Sequence, residues 1–117
     1  MPDPTDVALL EAAQDALVVY VTAPSSEVGA ALARSVVGDG LAACCNVVPA
    51  VRSIYRWKGK LCEDAEVLLM FKTRRGRLAA LTERVVTEHP YDCPEVLAFS
   101  AEAGHGPYLA WIDENTV

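Results

Sequence analysis

Basic residues are scarce in this chain. Ten Lys and Arg stand against sixteen Asp and Glu in 117 residues, giving a net charge of −6 and an isoelectric point near 4.8. That balance argues against general binding to a nucleic-acid backbone, which needs clustered Lys and Arg to displace counterions. Long apolar runs are missing too: none approaches the ~18 residues that span a bilayer. The opening stretch, Met1 to Asp6, is acidic and lacks the basic segment of a secretory signal. A cytoplasmic location and no membrane partner are therefore expected. The four cysteines, at 44, 45, 62 and 93, include no Cys-x-x-Cys pair. A closed structural zinc site is not indicated, and free thiols are expected in a reducing compartment. No Gly-x-Ser-x-Gly elbow, Walker loop, dinucleotide fingerprint or His-Glu-x-x-His occurs. Nothing here requires an enzyme, and none is expected.

What is present is apolar periodicity. The 52% apolar fraction is ample for one core, and the length suits one domain. Residues 1–16 read as a poorly ordered leader in which Val7 to Ala16 could form a marginal helix, and residues 17–117 as the domain. Leu17–Thr22 is β-rich and apolar on both faces, as in a central, doubly buried strand. Ser25 is a good N-cap, and Val28, Ala31, Leu32, Ser35 and Val36 recur at helical spacing until Gly38-Asp39-Gly40 stops them. An extended region from Leu41 to about Tyr55 carries Pro49, which suggests a bulge. Lys58-Gly59-Lys60 is a turn signal, and Glu66–Thr73 returns as a third strand, completing a long hairpin. Leu78, Leu81, Thr82, Val85 and His89 form a second helical stripe ended by Pro90. Glu95–Ser100 is a fourth strand, and Gly104–Pro107 turns into a short final helix. The order β-α-β-β-α-β plus a terminal helix points to an α+β, ferredoxin-like sandwich with two helices over one face of a four-stranded sheet. Surplus hairpin length and a bare second face point to a symmetric oligomer.

Two stretches concentrate chemistry where the backbone must turn: Ser53-Ile54-Tyr55-Arg56-Trp57-Lys58-Gly59-Lys60 and His89-Pro90-Tyr91-Asp92-Cys93-Pro94-Glu95. His89 sits beside Glu88, and an imidazole next to a carboxylate is a plausible metal site; the plainer role is to cap helix carbonyls. Cys44 and Cys45, adjacent on a strand, point to opposite faces, and at least one should be a buried small hydrophobe. Cys62, near the hairpin tip, is expected to be the most exposed thiol. Tyr55, Trp57 and Tyr91 suit packing or ligand stacking. Glu95, if buried, needs a partner, and Lys72 is the natural candidate. Lys72, Arg74, Arg75 and Arg77 cluster where the second helix begins, which suits a small anion or, more plainly, a solvated basic face.

The ordered fragments Val21-Thr22-Ala23-Pro24, Leu41 to Pro49, Ser53-Ile54-Tyr55 with Trp57-Lys58-Gly59-Lys60, Glu66, Lys72-Thr73, His89-Pro90-Tyr91, Pro94-Glu95 and Tyr108-Leu109-Ala110-Trp111 resemble the CutA family of divalent-cation tolerance proteins. The resemblance runs from about Leu17 to Asp113. It implies a homotrimer packed through long hairpins, similar in architecture to PII-type signalling proteins. It also implies a link to copper or other divalent cations and an inter-subunit cleft lined by Tyr55, Trp57, Lys72, His89, Tyr91 and Glu95. Some members bind copper through a first-strand cysteine and a His-His pair; Val21 and Glu88 stand at those places here. The expected metal ligands are His89, Glu88 and Cys44. A second function the resemblance allows is a PII-like regulator holding a small anion at Lys72, Arg74 and Arg75.

Overall fold

The computed structural model describes residues 9–117. Among them, the chain runs through β1 (Leu10–Ala12), β2 (Ala16–Ala23), α1 (Ser26–Gly38), β3 (Cys44–Trp57), β4 (Lys60–Arg74), a 3₁₀ turn (Arg75–Arg77), α2 (Leu78–Glu88), β5 (Leu97–Ser100), β6 (Ala103–His105) and α3 (Gly106–Glu114). The main sheet has the order β3-β4-β2-β5, antiparallel throughout. Buried Leu17, Val19, Val21 and Ala23 of β2 and Val67, Leu69 and Phe71 of β4 share a core with Leu32, Ala33 and Val36 of α1 and Leu81 and Val85 of α2. Both helices therefore cover one face, and the fold is the ferredoxin-like sandwich. The doubly buried strand expected at 17–22 is central, but only one of its faces is closed. Val18, Tyr20 and Thr22 alternate with the core residues and remain half-covered.

Local chemistry explains the element ends. Ser25 Oγ accepts the Val28 N–H at 3.2 Å, capping α1, with Glu27 in the first turn. The helix closes at Gly40, whose φ of 69° needs glycine. Leu41–Ala43, expected to open the second long strand, are buried but lie outside it, since β3 begins at Cys44. The hairpin register slips between Val48 and Val51, at Pro49 and the left-handed Ala50 (φ 62°), so the expected bulge is real. At the tip, Lys58 (φ 50°) and Gly59 (φ 78°) are both left-handed, as a two-residue type I′ turn requires. β4 pairs β2 only from Val67 onward, so the ribbon from Val51 to Glu66 stands clear of the third strand. It gives the molecule a 51 Å long axis and exposes Ile54, Trp57 and Leu61.

Of the leader expected over 1–16, residues 1–8 lie outside the described residues. Leu10–Ala12 form a strand, not part of a helix, paired with β6. No helix among the described residues is long and apolar enough to cross a membrane.

Candidate functional site

The free ribbon of the hairpin and the Tyr91–Glu95 loop meet over a cavity of about 590 Å³. Asp64 and Glu66 stand two apart on β4 and so share a face, with Ser53 and Val51 of β3 directly opposite. Pro90 ends α2 and sends the next residues across the end of β2. His89 then acts as a pin. It is 7% exposed; its Nδ1 accepts the Tyr91 N–H at 3.1 Å, so its Nε2–H donates to the Thr22 carbonyl at 2.8 Å. Held this way, the loop brings Tyr91, Asp92, Cys93 and Glu95 to the cavity wall beside Tyr55, Trp57, Asp64 and Glu66.

Two tyrosines tie down two carboxylates. Tyr91 OH donates to Glu66 Oε2 at 2.7 Å, and Tyr55 OH donates to Asp64 Oδ2. Hydrogen bonding to Asp64, ahead of burial, pushes Tyr55 up to about 12. Burial, then the bond to Glu66, pushes Tyr91 up as well. Both stay neutral donors at physiological pH. Glu95 is raised above the usual carboxylate range by burial first and then by the charge of Glu66. Among the described residues, four carboxylates line the cavity, and no Lys, Arg or His does.

Several expected groupings are not brought together. Both His89 nitrogens are occupied by the chain itself, leaving no lone pair for a metal in this arrangement. Glu88 faces Arg84 at 3.9 Å. Cys44 pairs in register with Lys72, whereas Thr22, the anchor of His89, pairs with Leu68. Four residues along β4 separate those positions, ~13 Å at 3.3 Å per residue. Cys44 Sγ instead lies 3.9 Å from Tyr108 OH, in hydrogen-bonding reach. Among the described residues, no three His, Cys, Asp or Glu side chains converge to hold a metal. Lys72 does not partner Glu95: its ammonium donates to Asn46 Oδ1, and it lies six residues along β4 from Glu66. Arg74 donates to Thr116 Oγ1 and the Val117 carbonyl, and Arg75 to the Gln14 carbonyl and Ser100 Oγ, so the cluster expected to hold an anion braces the fold instead. Burial pushes the Cys45 thiol up to about 12, fitting the small-hydrophobe role. Cys93, not Cys62, is the exposed thiol.

Of the residues that the resemblance places in an inter-subunit cleft, Tyr55, Trp57, Tyr91 and Glu95 line this cavity within one chain, and Lys72 and His89 do not. Asp64 and Asp92 were missed. The i, i+2 spacing of Asp64 and Glu66 beside a strand rich in aromatics was a usable signal.

Residues 17–115 match the family described as CutA1 divalent ion tolerance protein. The chain belongs to the CutA1 family. It is similar to the divalent-cation tolerance protein CutA of Thermus thermophilus, 46% identical over 99 residues that cover 85% of this chain and 96% of that one. It is also similar to the chloroplastic CutA 1 of Oryza sativa, 49% identical over 100 residues, 86% of this chain and 56% of that protein. The CutA1-family region here thus spans little more than half the length of the plant relative. Among solved structures, the Thermus thermophilus protein superposes with a TM-score of 0.85 at 45% identity, covering 87% of this chain and 99% of that one. CutA from Synechococcus elongatus gives 0.88 at 31% identity, covering 97% and 100%. The ferredoxin-like body is therefore the CutA1 body, and divalent-cation tolerance is the role the family carries.

Proposed function

We propose that this CutA1-family chain is a non-enzymatic, trimeric binder of divalent cations, copper among them, that serves metal tolerance by holding the ion in the carboxylate cleft. The observation that carries the reading is the charge of the lining: among the described residues, four carboxylates and no basic side chain. Oxygen donors favour hard or borderline ions over copper(I), and copper(II) heads the affinity order at nitrogen and oxygen sites. The carboxylates of one chain do not converge on a point, so the ion keeps waters or gains a group from a second protomer, and it binds weakly. The free ribbon supports assembly: Ile54 is 61% and Leu61 77% exposed, a surface that a lone molecule seldom leaves bare. Four unpaired cysteines suit a reducing compartment such as the cytoplasm. The rival reading of a small anion at Arg74 and Arg75 finds no support, because both guanidinium groups are engaged within the chain.

Calorimetric titration with copper(II) tests this. Glu66→Gln and Glu95→Gln are each expected to weaken binding severalfold. Isotherms identical to the parent for both variants overturn the assignment of the ion to this cleft.

A further inference from the structure

The cleft is larger than an inorganic ion needs. Six waters at ~30 Å³ each amount to about 200 Å³, whereas the cavity holds about 590 Å³, inside the ~300–1,000 Å³ range of small-molecule sites. Its carboxylates are also spread around the wall and do not meet at a point. A spread ring of negative charge suits a cation whose charge is distributed over a molecule better than a bare ion.

The rest of the wall is aromatic. Tyr55, Trp57 and Tyr91 line the same space, and aromatic ring faces attract organic cations. Trp57 shows this already, with the Lys58 ammonium 5.9 Å from its ring centroid. The hydroxyls of Tyr55 and Tyr91 are committed to Asp64 and Glu66, which fixes both rings and both carboxylates before any ligand arrives. Glu95 lines the cavity and forms no ion pair among the described residues, so its charge is left for a cation to balance.

We propose that the cleft binds a small alkylammonium ion, with Tyr55, Trp57 and Tyr91 around the cationic head and Glu66 and Glu95 balancing its charge. This deepens the reading of the cleft as a cation site and rests on it. The ligand competes with divalent ions for the same carboxylates.

The test is calorimetric titration of the full chain with tetramethylammonium chloride, with manganese(II) chloride, and with sodium chloride at matched ionic strength. Saturable tetramethylammonium binding is expected, absent with sodium and weakened by prior manganese. Trp57→Leu should lower the ammonium affinity about tenfold, within the range of a desolvated cation–π contact, and Trp57→Phe should restore most of it. Manganese binding without tetramethylammonium binding, or equal heats from sodium, overturns the ammonium proposal and leaves the metal reading standing. No saturable binding of either probe removes both.

Discussion

Glu95 carries an unfavourable charge in the folded chain. Burial and the neighbouring Glu66 hold its proton affinity above the ordinary value near 4.5. Between the ordinary and the raised value the folded state binds more protons than the unfolded state, so this residue makes stability fall as pH rises through that window. Below the window Glu95 is neutral in both states and contributes nothing. Glu95→Gln should therefore melt at a higher temperature than the parent at pH 7, and the difference should vanish near pH 4. Equal melting temperatures at pH 7 contradict the raised proton affinity of this carboxylate. A group that weakens the fold while facing a cavity is what a binding site often retains. His89 shows where residue-scale reading reached its limit. Its place before Pro90 marked it as special in the sequence. Only the fold shows that Thr22 and the Tyr91 backbone occupy both ring nitrogens, which makes the residue a pin for the loop.

At the scale of elements, packing of α1 on the sheet turns on one glycine. A Cβ added at Gly29 would stand 2.8 Å from Val67 Cγ2 and 3.1 Å from Leu69 Cδ2. Gly29→Val should overpack this contact and cost about 1–3 kcal/mol, read as a lower denaturation midpoint; an unchanged midpoint would show that α1 does not sit so close to β4. Helix caps, the Pro49 bulge and the hairpin turn were legible because each depends on one or two residues with special backbone or side-chain chemistry. The β1–β6 pair was not, because three-residue strands are too short to carry a period. The reach of β4 back to Lys60 was missed for a related reason: Lys60–Ala65 faces solvent with no buried alternation, and its pairing comes from the ribbon and not from burial.

At the scale of the whole molecule, element order made the ferredoxin-like body readable, since few arrangements satisfy β-α-β-β-α-β. The cleft was only half readable. Its aromatics and Glu95 stood out as residue types, but Asp64 and Asp92 join them through register and loop path, which composition does not encode. Phe99, Leu97 and Tyr20 add a partly open apolar surface on the sheet face away from α1 and α2, with Tyr20 and Phe99 edge to face at 5.1 Å. Burial of that surface and of the ribbon is expected to produce a trimer. Sedimentation equilibrium at micromolar concentration should return three times the 12.6 kDa chain mass, and a monomer at that concentration rejects the assembly.

The most direct measurement of the central claim is an amide-resolved NMR spectrum recorded with substoichiometric manganese(II), whose unpaired electrons broaden nearby signals. The signals of Ser53–Trp57, Asp64–Glu66 and Tyr91–Glu95 should broaden first and together. Broadening centred on other acidic surface, with these three segments untouched, would contradict a cation site in the cleft.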